Sequence, residues 1–336
     1  MIDKNNKGVS LYRQIAEELI SSIQNGLLIS GDPIPSLNEL KSRYQVSRDT
    51  VIMAYNELKA RGIIDSKPGK GCYVRSTNIE VLKKVFLLLD ENSSYKSTLY
   101  ESFLENCTRE AQVEVFFHHQ NPTLFKALLE TYAGKFSHYV ITPVPEADCM
   151  DQVKELTKKG KVFILDYAFN EEQYLYPSVF QDFKGDILNQ LLANQAALKK
   201  YEKILMIIER PSGSTENAII PKIIDGFQIF AKQTGLQNEL FRTIPDEIHK
   251  GYCYILHSDA DLVEMVKTVQ KYKLELGKDI GIISYNETPL KSVVDRGIST
   301  LSTNFPEMGK QMAALVKGEQ MGHIKNEFCL IRRASF

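Results

Sequence analysis

The sequence predicts an α/β protein in two parts. A small winged helix-turn-helix comes first, and a larger α/β body of parallel strands with helices on both faces follows. Three observations carry this. Two capped helices and a hairpin with a Gly-Lys-Gly tip lie within the first 75 residues. From residue 83 onward, seven apolar runs of strand length alternate with amphipathic stretches of helical length. Charge also divides with the pattern: residues 1–78 hold eleven Lys/Arg against eight Asp/Glu, residues 79–336 thirty against thirty-four.

The whole-chain values hide that division. With 336 residues, 43% apolar and 25% charged, the chain suits two or three globular domains and excludes wholesale disorder. Forty-one basic against forty-two acidic residues argue, taken together, against a nucleic-acid partner. Lys41–Arg75 reverses the argument, with eight basic and three acidic residues. Five scattered cysteines, with no CxxC pair and no Cys/His cluster, offer neither a zinc site nor a disulfide framework. The N-terminus lacks a signal-peptide core, and no apolar run approaches the ~20 residues that span a bilayer. The expectation is a reduced, cytoplasmic protein with no membrane contact, no metal and no cofactor.

In the head, Leu11, Ile15, Leu19 and Ile23 set a helical stripe that Gly26 stops. Ser36-Leu37-Asn38-Glu39 is a capping box opening a helix to about Tyr44. Ser47 caps the next helix, which carries Val51, Ala54, Tyr55 and Leu58 inward and ends at Gly62. Ile63–Ser66, the turn Lys67–Gly71 and Cys72–Arg75 read as a two-stranded wing. The third helix suits a DNA major groove, and its first turn presents Ser47, Arg48 and Thr50. Arg48 has the fork for a guanine, and the basic, glycine-flanked wing tip can approach a phosphate.

These residues resemble the DNA-binding domain of the GntR family of bacterial regulators. The resemblance is carried over residues 9–75 by Leu11-Tyr12, Pro35-Ser36, Val46–Val51, Gly62-Ile63-Ile64 and Gly69-Lys70-Gly71. It implies operator contacts from Ser36, Asn38, Ser47, Arg48, Asp49, Thr50, Gly69 and Lys70. Leu37-Asn38 stand where many relatives have Glu-Arg, so the operator sequence is this chain's own.

The division expected is a head at 1–76, a polar connector at 77–82 and a body at 83–336. Strands are expected at Val85–Leu89, Val113–Phe117, Tyr139–Thr142, Val162–Leu165, Ile204–Ile208, Cys253–Leu256 and Ile280–Ser284. In sheets of this kind ligands sit beyond the carboxyl ends of the strands. The residues there are Asp90-Glu91-Asn92 with Tyr95, Asp166-Tyr167, Gln181-Asp182, Arg210, His257-Ser258-Asp259, Tyr285-Asn286-Glu287 and Asn304. Carboxylates and amides of this density suit the hydroxyls of a polyol, and aromatic rings its apolar face. Part of the same polarity belongs to helix caps, Asp259-Ala260-Asp261 being a good example.

The order of these motifs resembles the two-lobed effector domain of LacI-type repressors and periplasmic binding proteins. Leu165-Asp166, Gln181–Gly185, Asp225-Gly226-Phe227, Leu256–Asp259, Gly281–Glu287 and Leu301–Gly309 carry it, the last as the family's final crossover. The resemblance implies two α/β lobes, three crossovers, a ligand in the cleft and a homodimer. It gives Asp90, Tyr95, Asp166, Ser258, Asn286 and Asn304 as effector-binding residues, with Arg210 or Lys222 in place of an anchoring Arg. A GntR-type head on a LacI-type body is the arrangement of the arabinose-repressor (AraR-like) subgroup. The function implied is a transcriptional regulator, a repressor by analogy, that binds double-stranded operator DNA and answers to a neutral monosaccharide. The alternative is a body that serves dimerisation alone.

An enzyme finds little support. No GxSxG, Walker-type loop or GxGxxG after the first body strand occurs, and the six histidines have no ligand spacing.

Overall fold

The computed structural model describes residues 10–67, 70–77, 83–107, 111–145, 149–167, 175–208 and 214–336. The head begins with α1 (Leu11–Gln24), which buries Ile15, Ala16, Leu19, Ile20 and Ile23 along one stripe. At α2 (Leu37–Tyr44) the predicted capping box is complete, Ser36 and Glu39 each satisfying the other's backbone N–H. Next comes α3 (Arg48–Ala60), capped by the Ser47 hydroxyl, which accepts the Thr50 N–H at 3.1 Å. The wing is β1 (Ile64–Lys67) paired antiparallel with β2 (Gly71–Val74). Ile15, Leu40, Val51, Ala54 and Leu58, all fully buried, close the core between helices and hairpin. Most of the connector expected at 77–82 lies outside the described residues.

The first body lobe runs through β3 (Lys83–Leu89), α4 (Ser94–Cys107), β4 (Ala111–Phe117), α5 (Pro122–Tyr132), β5 (His138–Ile141), α6 (Cys149–Thr157), β6 (Lys161–Asp166) and β7 (Ser178–Phe180). The second holds α7 (Phe183–Ala193), α8 (Gln195–Leu198), β8 (Lys203–Ile207), α9 (Ser214–Thr234), β9 (Asn238–Phe241), β10 (Tyr252–Leu256), α10 (Asp259–Lys271), β11 (Gly281–Tyr285) and β12 (Ser299–Thr303). The chain then returns to the first lobe with α11 (Phe305–Lys317) and β13 (His323–Lys325), and ends in the second with β14 (Phe328–Ile331).

Both lobes carry six-stranded sheets, ordered β13-β7-β6-β5-β3-β4 and β14-β12-β11-β10-β8-β9. Within these two sheets every described pairing is parallel except β12 with β14. Apolar clusters cover both faces of each sheet, which is why the central strands read as continuous apolar runs.

All seven expected body strands are present, and five more were not expected. Of these, β12 (Ser-Thr-Leu-Ser-Thr) is wholly buried yet carries four hydroxyls. Its partners explain this: the Thr300 hydroxyl donates to Glu287, the Ser299 N–H to Ser335 Oγ at 2.7 Å, and the Thr303 hydroxyl to the Glu327 carbonyl at 3.1 Å. Long-range partners of this kind leave no apolar run in the sequence. At three residues each, β7 and β13 are too short for periodicity to register.

Three crossovers join the lobes, after β7, β12 and β13, so Leu301–Gly309 forms the second of them and Lys325–Phe328 the final one. Buried Asn326 ties all three together. Its N–H donates to the Phe180 carbonyl at 2.8 Å, and its side-chain amide donates to Thr303 Oγ1 and the Asn304 carbonyl, both at 2.9 Å.

The Asp225-Gly226-Phe227 motif owes its glycine to packing. A Cβ at Gly226 would run into Ile187 of α7 and the Lys184 carbonyl oxygen, so α9 approaches α7 backbone-close. Gly226→Ala is therefore expected to lower stability by about 1–3 kcal/mol in urea unfolding. A stabilised variant, as helix propensity alone would give, would show that the helices are not in close contact.

Candidate functional site

Two surfaces collect the functional side chains. On the head, Ser36, Asn38, Ser47, Arg48, Asp49 and Lys70 are exposed, and Thr50 is half-buried. Ser36 and Ser47 spend their hydroxyls as caps, and Thr50 Oγ1 lies 2.8 Å from Ser47 Oγ. Among the described residues the side chains of Arg48, Asn38 and Lys70 have no partner, which leaves their donors available. Beside them Lys67 sits 4.8 Å over the Tyr73 ring. Gly69 lies outside the described residues.

The second surface is a cavity of about 90 Å³ between the lobes, at the carboxyl ends of both sheets. The first lobe and the crossover contribute Asp90, Glu91, Tyr95, Lys96, Gln120, Tyr167 and Gln181, with Phe305 opening α11. Facing them are Phe183, Ile219, Ile220, Ile223, His257, Tyr285 and Asn286.

An ion cluster forms the floor. Lys96, in the first turn of α4, sends its ammonium inward to Asp90 Oδ1 at 3.0 Å and to the Asp166 carboxylate. The Tyr167 hydroxyl donates to Asp90 Oδ2 at 2.6 Å, and the Gln181 amide donates to Asp166. All three charged residues are at most 2% exposed. Burial pushes the Asp90 carboxyl up, but Lys96 and Tyr167 outweigh it and hold it below the usual range. Burial also dominates at Asp166, where Lys96 offsets it incompletely and the carboxyl stays raised. Lys96 itself is lowered by burial and raised further by its two carboxylates, so it remains an ammonium.

Asp166 is held at φ 75°, and the Tyr167 N–H donates to the Leu165 carbonyl at 2.9 Å around it. That is a γ-turn of the rare, strained hand. Its two side-chain partners over-determine it.

On the opposite side Asn286 also has positive φ, 60°. Buried Lys291 holds this loop by donating to the carbonyls of Tyr285 and Asn286, both at 2.8 Å, while pairing with Asp259 at 2.7 Å. Glu287 faces away, clamped by Arg333 at 2.9 and 3.0 Å. Burial pushes His257 down to about 4, with Lys291 adding to it, so the cavity meets a neutral imidazole.

Of the residues expected to bind effector, Asp90, Tyr95 and Asn286 line the cavity, and Asp166 lies in the floor cluster. Ser258 and Asn304 do not line it. Ser258 caps α10 and bonds Asp261 at 2.8 and 3.0 Å, and Asn304 caps α11 through the Glu307 N–H at 3.1 Å. Arg210 falls outside the described residues, and Lys222 is not in the lining. Tyr167, Gln181, His257 and Tyr285 stood among the strand-end residues without being singled out. The three isoleucines carried no signal, since a wall of α9 facing a cleft reads in sequence like any core face.

The architecture is that of a transcription regulator: a DNA-binding winged helix joined to a two-lobed, cleft-bearing body. Residues 11–74 match the bacterial regulatory proteins of the gntR family, and residues 193–335 the periplasmic binding protein-like domain. A head that matches the gntR model is thus joined to a body of periplasmic-binding-protein-like fold. It is 22% identical to the arabinose metabolism transcriptional repressor of Halalkalibacterium halodurans, over 91% of this chain and 88% of that one. The head alone is 37% identical over 70 residues to a probable fructoselysine utilization operon transcriptional repressor of Escherichia coli, covering 21% of this chain and 29% of that one. Among solved structures, the trehalose repressor of Escherichia coli superposes with TM-score 0.59 at 15% identity, covering 74% of this chain and 99% of that one. A LacI family regulator of Enterococcus faecium with bound ribose gives 0.58 at 15%, covering 75% and 98%.

Lys96→Met is expected to cost about 3–5 kcal/mol at pH 7, because it strands two buried carboxylates. Their folded pKa values then rise above the unfolded ones, so the deficit shrinks as pH falls towards 5. Urea unfolding at both pH values checks this. An equal deficit at both would show that the carboxylates had found other partners.

Proposed function

We propose that the protein is a transcriptional repressor of sugar metabolism whose operator binding is controlled by a small neutral sugar in the interlobe cleft. The observation that carries the reading is the coupling of two surfaces in one chain. Arg48 and Lys70, unpaired among the described residues, stand on a winged helix, and a cavity lined from both lobes stands in the body. The H. halodurans relative, alike along nearly its whole length, supports repression and sugar metabolism. Bound ribose in the E. faecium structure supports the ligand class.

The working unit is a homodimer in the cytoplasm, with two heads on a pseudo-palindromic operator. Ser36, Asn38, Ser47, Arg48, Asp49, Thr50, Gly69 and Lys70 form the DNA face. Asp90, Tyr95 and Asn286 meet ligand directly, over a floor that includes Asp166. A sugar that favours one lobe arrangement shifts the spacing of the heads by its differential affinity, typically 1–3 kcal/mol of coupling. Phosphorylated sugars are disfavoured, because Lys96, the one cation lining the cleft among the described residues, is already enclosed by two carboxylates of the floor.

A second reading has one observation in its favour. The floor carboxylates are satisfied internally and the cavity is small, as in a body kept for dimerisation alone. A thermal-shift panel of monosaccharides and sugar phosphates separates the two, since ligand at about a hundred times Kd stabilises by ~2.7 kcal/mol. A rise of several degrees with a neutral sugar is expected, and silence across the panel would favour the second reading.

DNA binding is tested by titrating upstream DNA of the protein's own locus against random duplex. Arg48→Ala is expected to lose about 1–3 kcal/mol of discrimination. Lys70→Ala should weaken both duplexes alike and reduce the salt slope by about one. Equal affinity of the unaltered protein for both duplexes would overturn the regulator reading.

A further inference from the structure

The amino-terminal edge of the first-lobe sheet, far from the cleft, collects positive charge. His138 begins β5 there, paired with Lys161 on β6; on its other side Lys83 opens β3, two residues before Val85, the partner of His138. Period-two alternation puts all three on the face that α4 and α11 cover. His138 is 3% exposed, and its ring stacks 6.0 Å from that of Phe163. Its Nδ1 lies 2.9 Å from Ser137 Oγ, whereas its Nε2 is buried with no hydrogen-bond partner among the described residues. Lys83 donates to the Lys317 carbonyl at the end of α11, at 3.1 Å. Lys161 is half-buried and has no partner among the described residues.

The head reaches this edge with more cations. Burial holds the His138 imidazole neutral, and the charges of Lys161, Lys83, Arg61 and Arg13 lower it further. Burial lowers Lys161 as well; Arg13, Lys83 and Arg61 add to this, and Glu57 opposes them. Arg13 stands in the first turn of α1, and Glu57 and Arg61 at the end of α3. Glu57 is already paired with Arg61. Beside them Ala60 is buried without belonging to the head's apolar core, so this end of α3 is covered. Like charges from two parts of the chain thus converge on a buried nitrogen with nothing to bond, which is unfavourable until an anion completes the group.

We propose that this junction of head and first lobe binds a small phosphate-type oxyanion, held by Lys161, Arg13 and the His138 imidazole. A tetrahedral oxyanion offers enough oxygens to take charge-assisted bonds from both sides at once. With the ring proton on Nε2, Nδ1 accepts from the Ser137 hydroxyl and Nε2 donates to the anion. An anion so held ties the head to the first lobe. The DNA face proposed above lies at the opposite end of α3, about 20 Å along its 13 residues, which favours a free anion over a phosphate of the duplex.

The test titrates the full-length protein with inorganic phosphate and with glucose 6-phosphate, by calorimetry and thermal shift, at constant ionic strength set with chloride. Saturable binding that raises the melting temperature by a few degrees is expected. The tighter of the two distinguishes free phosphate from a phosphomonoester as the source. Lys161→Met and Arg13→Met should each weaken binding at least about tenfold. Lys158→Met, at an exposed position of the same lobe, should leave it unchanged. The ligand-free melting temperature of Lys161→Met should stay level or rise, because a half-buried charge among like charges has been removed; lost binding is thereby separated from lost folding.

The site is overturned by a response no greater than that to chloride, by full binding in Lys161→Met or Arg13→Met, or by equal weakening in Lys158→Met. A matching loss of affinity for random duplex in the first two variants also overturns it, by making these cations contacts of the DNA backbone.

Discussion

A single buried ammonium organises the interlobe cleft of this protein. Lys96 reaches from the start of α4 to carboxylates that end two different strands, Asp90 beyond β3 and Asp166 on β6. Two carboxylates this close and this dry do not both stay ionised without a cation between them. With Lys96 in place, Asp90 keeps its charge, the Tyr167 hydroxyl points at it, and the strained turn at Asp166 is held from two sides. The floor of the cleft, the start of α4 and the first crossover are therefore one electrostatic unit. The resemblance to LacI-type repressors implies an Asp facing ligand at this strand end. Here that carboxylate is committed internally, and the groups left facing the cavity are neutral or already paired.

The lobes meet through a hinge that is equally economical. Asn326, itself in the third crossover, bonds to the other two, so a change in lobe angle is felt by the three together. Beyond the hinge, Lys291 and Arg333 pin the loop that carries Tyr285 and Asn286. This loop is thereby a rigid part of the second lobe, and ligand contacts made there act on the lobe as a body. A small ligand acquires leverage over distant heads only through such stiffness, since coupling requires discrete alternatives rather than local yielding.

Charge divides the labour between the parts. On the regulator reading, a basic head and an acidic body turn the third helix, and not the body, towards a duplex. The near-zero total is an average of two opposite requirements.

The head was legible almost residue by residue. Its caps, stops and apolar stripe are local events within a few residues, and Ser36, Glu39 and Ser47 appear in the structure in the roles their spacing implies. The central strands of the body were legible too, because burial on both faces writes a continuous apolar run. Three things were not: the hydroxyl-rich strand β12, the separation of ligand groups from caps, and the commitment of Asp166 to Lys96. Ser258 and Asn304 stand at helix starts where a cap and a ligand contact call for the same side chains. The other two turn on partners 13 to 70 residues away, as Thr300 with Glu287 and Lys96 with Asp166. Amino-acid order therefore settles which segments are helix, strand or turn, since those energies are local. Which polar groups remain free for a ligand depends on which have already been paired by distant ones, and only the folded chain brings those together.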